Sequence, residues 1–297
     1  MLVSMKALLD RASAENYAIA APNVSTELDA RAALEAAEEL NAPLILDVGH
    51  KANKDPRFFI GLCAQLAAKA NVPVAVNLDH GAVYEHAILA IQGGATSVMI
   101  DRSSLPYEEN VAQVAELVKV AHAVGVSVES ELGHVGQGSN YAEDGKANLT
   151  DPDQAMDFIQ KTGIDCLAVA IGTAHGAYVG TPKLDFDRLE AIKKATDNFP
   201  LVLHGGSGTG DENLGKACRM GINKVNLSND LCKAAAVALQ AADLSGNNAY
   251  QVWKIGIAGW KARLKELIVV LGGEGKAWTP EHSKISVDTE VELEEKH

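Results

Sequence analysis

Three histidines, His80, His175 and His204, each close a hydrophobic strand-like run and each stand directly before a glycine, in VPVAVNLDHG, CLAVAIGTAHG and PLVLHGGSG. Buried strands that open into loops at one edge would bring the three rings together. Neutral imidazole is the commonest zinc ligand, and three protein ligands leave a coordination position open for substrate. A single strand-end histidine is most often a hydrogen-bonded structural residue. Three in one setting, with carboxylates ending the intervening strands, favour a metal-dependent enzyme. His50, His86, His122, His134, His282 and His297 lack that setting; His122 falls on a helix face and His134 on a loop.

The glycines carry chemistry of their own. In GTAHG and HGGSG the small residues let backbone N–H groups turn towards a ligand. A helix beginning just beyond would add its dipole, which makes a cradle for phosphate. Ser207 and Ser228 add hydroxyls and Asn226 an amide. A plain strand-to-helix turn is the alternative for HGGSG, and it weakens beside a candidate metal site.

Holding these residues at one rim requires a particular scaffold. Apolar, β-rich runs at 17–24, 43–48, 73–79, 97–101, 127–132, 166–172, 201–204 and 224–227 read as strands. Between them, stretches such as 28–40 and 108–125 repeat apolar residues at three- and four-residue spacing, as helices do. Gly125, Gly163 and Gly221 each precede a strand, where a helix-ending glycine belongs. Eight strands alternating with helices point to the α/β class and a (β/α)8 TIM barrel, in which chemistry gathers at the carboxyl ends of the strands. A doubly wound sheet that binds nucleotide would show GxGxxG after its first strand, where this chain has AAPNVST. The polar strand-end residues are then Asn23, Asp47, Asp79, His80, Asp101, Glu129, Glu131, His175, His204, Asn226 and Ser228.

Two insertions break the rhythm. The glycine-rich stretch 133–150 has the length of a functional lid, and a loop from 241 leads to a helix ending near 271, a C-terminal helical extension. The expected organisation is one barrel domain over 1–275 and a polar, frayed tail over 276–297.

Bulk properties narrow the class. The chain has 297 residues, 47% hydrophobic and 22% charged, enough for a large core. Its net charge of −13 argues against a nucleic-acid partner, so any anionic substrate must be captured by local positive potential. No apolar run approaches the roughly 18 residues of a membrane span. Cys63, Cys166, Cys218 and Cys232 lie far apart without a CxxC pair, which fits a reducing, cytoplasmic setting.

The motifs LDHG, SVMID, VESELGHVG, LAVAIGTAHG, LVLHGGSG and KVNLSNDL, in this order and spacing, resemble the class II zinc-dependent ketose-bisphosphate aldolases, with the tagatose- and fructose-bisphosphate branch nearest. The resemblance spans essentially residues 1–275. It implies a lyase that reversibly cleaves a ketose 1-phosphate or ketose bisphosphate to dihydroxyacetone phosphate and an aldehyde, through a zinc-stabilised enediolate. It implies one Zn2+ per subunit on His80, His175 and His204, with Asp79 as the acid/base and Asp101 and Glu131 as second-site ligands. A monovalent cation, Na+ or K+, is a further candidate. The substrate and its phosphate would lie against Asn23, Gly176, Gly205, Gly206, Ser207, Asn226, Leu227, Ser228 and Asn229. A homodimer or homotetramer is expected.

Departures from the family pattern concern the substrate. The fifth loop reads GQGSNYAED where GGxED is usual, so Glu143 or Asp144 could supply the carbon-proton acid only through a rearranged loop. Asn229 replaces a threonine, and AAPN replaces PAFN although Asn23 is kept. The C-terminal helix lacks the arginine expected for a second phosphate unless Arg263 takes over. These differences favour a ketose 1-phosphate with an unphosphorylated aldehyde half. Another metal-dependent barrel enzyme, an epimerase or hydrolase, and a binding protein that has lost its proton-transfer loop are the competing readings. The hydrolase would show an HxH pair on the first strand, which is absent.

Overall fold

The computed structural model describes residues 1–136, 149–176, 178 and 182–279. Eight parallel strands close into one barrel in sequence order. They are β1 (Ile19–Pro22), β2 (Leu44–Gly49), β3 (Val74–Gly81), β4 (Ser97–Ile100), β5 (Ser127–Leu132), β6 (Cys166–Val169), β7 (Leu201–Leu203) and β8 (Ile222–Leu227), with β8 returning to pair with β1. All eight runs read from the sequence form strands. Several are shorter than the apolar run, because ladder pairing stops before the apolar residues do.

Ten α-helices lie among the described residues. The first eight are α1 (Met5–Glu15), α2 (Glu27–Glu39), α3 (Pro56–Lys69), α4 (Tyr84–Gly93), α5 (Tyr107–Ala123), α6 (Pro152–Thr162), α7 (Phe186–Ala195) and α8 (Asp211–Arg219). Then follow α9 (Asn229–Gln240) and α10 (Val252–Val270), the C-terminal extension, which packs on α9 and α2. Local chemistry sets the ends: Thr26 and Asp29 form a reciprocal capping box on α2, and Gly163 closes α6 in the left-handed conformation. Among the described residues no helix is long and apolar enough to cross a membrane.

Strand periodicity of two divides the side chains between two cores. Outward residues such as Leu44, Leu46, Val74, Val76, Leu201 and Leu203 pack under the helices. Inward residues Ile19, Ala21, Ile45, Ala75, Cys166, Ala168 and Val202 meet Met5, Leu8, Leu9 and Ala12 of α1, which plugs the amino-terminal mouth. Along the inward face the character changes with height. Ile45 is followed by Asp47, Ala75 by Asn77 and Asp79, Ser127 by Glu129 and Glu131, and Val202 by His204. The bottom of the barrel is therefore apolar and its carboxyl-terminal end is charged.

The tail boundary expected at 276 falls within docked chain. Lys276 pairs with Glu15 at 2.9 Å, the Ala277 amide donates to Asn41, and Arg11 stacks over Trp278. Residues 280–297, and most of the stretch 133–150 with Glu143 and Asp144, lie outside the described residues.

Candidate active site

Asp79 and His80 are consecutive, yet both serve the same interior. A regular strand would send them to opposite faces. The register of β3 against β4 shifts between Leu78 and Gly81, and His80 takes φ +49°, the left-handed region that a non-glycine residue rarely occupies. That turn swings the imidazole inwards. Its carbonyl accepts the Nδ1–H of His50 at 2.6 Å, and His50 stacks on His86 at 4.9 Å. The sequence reading set both residues aside because neither follows a strand–histidine–glycine run.

The three rings converge. Their centroids lie 4.7 Å (His80–His175), 4.6 Å (His80–His204) and 5.6 Å (His175–His204) apart. Glu131, fully buried, joins them, so that one donor atom from each of the four lies within 4.8 Å of the others. Asp101 and Glu131, expected together as second-site ligands, are placed differently. Asp101 Oδ2 accepts the Nδ1–H of His80 at 3.0 Å, while its Oδ1 takes the Ser103 amide and hydroxyl. His134 lies beside this group, its Nδ1–H donating to Ser103 Oγ at 2.9 Å.

The donor set suits a cation. His80 gives its Nδ1 proton to Asp101, and His204 gives its Nε2 proton to Glu129 at 2.7 Å. In neutral rings, His80 Nε2 and His204 Nδ1 then face each other at 2.8 Å as two lone pairs. Beside them, Glu131 Oε2 is buried without a hydrogen-bond partner, while Oε1 accepts the Val135 amide. Three nitrogens and one carboxylate, with the His80 and His204 rings each oriented by a further acceptor, form a donor set that suits a divalent metal ion.

Electrostatics follow from the crowding. Burial opposes charge on His80, but Asp79, Asp101 and Glu131 outweigh it and carry the ring up to about 10. Where no metal ion competes, a proton on His80 Nε2 therefore fills the gap to His204 Nδ1. Burial, together with His204 and His80, pushes His175 down to about 4. Asp79 is also buried, which alone would raise it. His80, His204 and Lys224, with the Asn23 amide, instead hold it well below the usual carboxylate range. Both its oxygens are engaged: Asn23 Nδ2 donates to Oδ2 at 2.8 Å and Asn226 Nδ2 to Oδ1 at 3.0 Å.

A cavity of about 340 Å3 opens beside Asp79 and His175. Gly176, Gly205, Gly206 and Ser207 form one wall, Asn226, Ser228 and Asn229 another, and Asn23, Val24, Ser25, Gly49 and Ala52 the remainder. Two glycines there are required by contact, and Gly205 by its conformation as well. Gly205 has φ +66° and a Cβ on it would strike the Ala174 carbonyl, while one on Gly206 would lie 2.7 Å from Val225 Cγ1. Ser207 Oγ accepts the Asp230 amide at 3.2 Å, tying the loop to the start of α9. Leu227 stands apart from the other expected phosphate residues. It is fully buried in the core and contributes only its carbonyl, which accepts the Asn23 amide. Among the described residues no lysine or arginine lines the cavity. Arg263 is held elsewhere, against Asp211 at 2.5 and 3.0 Å and Glu266 at 2.9 Å.

The family model for class II fructose-bisphosphate aldolase matches residues 3–276. The chain belongs to the class II fructose-bisphosphate aldolase family. Members are metal-dependent carbon–carbon lyases, and this chain is accordingly an aldolase. It is 39% identical over 285 residues to the fructose-bisphosphate aldolase of Geobacillus stearothermophilus, covering 93% of this chain and 99% of the relative. It is 42% identical over 244 residues to that of Staphylococcus aureus strain Mu50, covering 80% and 85%. The crystal structure of the YdjI aldolase from Escherichia coli K12 superposes with a TM-score of 0.83 at 35% identity, over 94% of this chain and all of that one.

One residue of this polar cluster is not among those expected from the sequence. Lys224 on β8 is fully buried among Glu129, Asp47 and Asn226. A signal existed, since Lys224 and Asn226 are two residues apart on one strand and must share a face.

Proposed function

We propose that the protein is a zinc-dependent aldolase that cleaves a ketose 1-phosphate to dihydroxyacetone phosphate and an unphosphorylated aldehyde. The observation that carries this is the glycine-rich wall Gly205 to Ser207 with Ser228 and Asn229, the one candidate phosphate cradle among the described residues, beside the histidine cluster in a cavity free of described lysine and arginine. Backbone amides and the start of α9 offer the phosphate its positive partners, which suits a chain of net charge −13.

His80, His175 and His204, with Glu131, would hold the metal, which when bound supplies Lewis-acid charge for the oxygen beside the breaking bond. Asp79 takes the proton of the hydroxyl on the aldehyde side and returns it in the synthetic direction. The Asn23 and Asn226 amides hold its carboxylate towards the cavity. No lysine is needed to form a Schiff base. The nitrogen-rich ligand set favours zinc over magnesium or calcium, which prefer oxygen. A homodimer or homotetramer in the cytoplasm completes the reading.

A bisphosphate substrate is the second reading, favoured by the names of the relatives. Steady-state assays decide between the two. The proposal expects weak turnover of fructose and tagatose 1,6-bisphosphates and faster cleavage of a ketose 1-phosphate. High turnover of either bisphosphate overturns it.

A further inference from the structure

Lys224 does not line the cavity, yet its ammonium reaches both halves of the site. It lies 2.9 Å from Glu129 Oε2 and 2.7 Å from Asn226 Oδ1, and pairs with Asp47 at 3.2 Å. Glu129 divides its oxygens, Oε2 to Lys224 and Oε1 to His204 Nε2. Asn226 divides its amide likewise, Oδ1 to Lys224 and Nδ2 to Asp79.

We propose that Lys224 is a positioning residue which fixes the plane of Glu129 behind His204 and the face of Asn226 turned to Asp79. The argument is one of donor and acceptor identity. An ammonium only donates, so whichever end of the Asn226 amide meets it must be the oxygen. The NH2 group is thereby left for Asp79. An ionised carboxylate only accepts, so His204 must present N–H at Nε2 and a lone pair at Nδ1, the atom 2.8 Å from His80 Nε2. Remove Lys224 and the Asn226 choice opens, whereas the Glu129 carboxylate still demands N–H at His204 Nε2. The Asn226 amide can turn over and set oxygen against the Asp79 carboxylate, and Glu129 loses the contact that sets its plane. The rival account is a buried ion pair that only stabilises the barrel, a pair that apolar residues can often replace without loss.

This inference rests on the metal-centre reading, so zinc binding by the wild-type chain is titrated first. Lys224→Met, Glu129→Gln and the charge-balanced double variant are then compared, with circular dichroism and thermal unfolding confirming the fold. The double variant removes both members of the Lys224–Glu129 pair, leaves Asp47 to the Asn77 amide, and serves if Lys224→Met fails to fold. Zinc affinity is measured by competition with a chromophoric chelator. The His204 tautomer is read in metal-free protein from long-range 1H–15N NMR, which reports whether or not zinc binds. Expected are a loss of zinc affinity of about 10- to 100-fold in Lys224→Met, a double variant no weaker than its worse single parent, and mixed His204 tautomers in Glu129→Gln and the double variant. In the variant that folds, kcat should fall at least about tenfold with KM within about threefold. A folded Lys224→Met with zinc affinity and kcat within twofold of wild type, or a folded double variant with such an affinity and a single Nε2–H tautomer, overturns the proposal.

Discussion

At the scale of single residues, His204 has the most depending on it. It is fully buried, its Nε2–H is spent on Glu129, and its Nδ1 faces the other ligands. Replacing it with alanine should lower zinc affinity by more than about 100-fold and bring lyase activity to background, since one ligand and its orienting bond vanish together. Full activity in a thoroughly demetallated sample would refute the metal role. The glycines give a second, graded prediction. Gly176 and Gly205 both have φ above +60°, but a Cβ on Gly176 meets nothing within 4 Å whereas one on Gly205 meets the Ala174 carbonyl. Gly176→Ala should cost roughly 1 kcal/mol, the strain of the left-handed region alone, and Gly205→Ala clearly more. Urea titration of the two variants orders them, and equal midpoints would contradict the contact argument. The convergence of His80, His175 and His204 was legible because each ends an apolar run before a glycine. Glu131 was found as a carboxylate, but its place among the histidines depends on how far β5 reaches, which spacing does not encode. His50 acts on the backbone of His80, and such a contact leaves no mark in the residue pattern.

Elements were the most legible level, because strand and helix periodicities are local. Where expectation and structure differ, a tertiary contact explains it. The stretch after residue 276 reads as a charged tail, yet Trp278 packs beside α1 under Arg11 and holds the chain down. Lys193 on α7 is another contact that periodicity hides. Its ammonium is buried at the foot of the barrel and donates to Ser13 Oγ, the Asn198 and Phe199 carbonyls and Asn223 Oδ1. It thereby ties α7 to α1 and to the irregular start of β8. Among the described residues no carboxylate pairs with it, and burial lowers it to about 8. The unfolded chain, with an ordinary lysine near 10.5, therefore binds more protons between those two values. Stability should rise with pH across that window and be lowest, for this group, below about 8. Relative to Lys193→Met, the wild type should gain about 1 kcal/mol between pH 7 and 9, read from paired denaturant curves. A difference that stays flat, or falls, would show that the four oxygens fully compensate burial.

For the molecule as a whole, the candidate ligands couple segments that the chain keeps far apart. His80 lies at the end of β3, Glu131 on β5, His175 beyond β6 and His204 beyond β7. The polar upper half of the barrel thus places like-charged and lone-pair-bearing groups face to face, and α1 seals the opposite mouth with apolar side chains. A divalent ion binding only the folded chain stabilises it by mass action, by about 2.7 kcal/mol at a free concentration one hundred times Kd. For a domain of this size that corresponds to a rise in Tm of several degrees. Dialysis against a chelator should lower the midpoint, and adding back one zinc per chain should restore it. The His204→Ala variant supplies the control, since its midpoint should respond to neither treatment. A metal ion adsorbed loosely on so acidic a surface would shift both proteins alike. Equal shifts in wild type and variant would therefore remove the barrel mouth as the site of binding, whereas a shift confined to the wild type ties the stability of all eight strands to the ligands at their carboxyl ends.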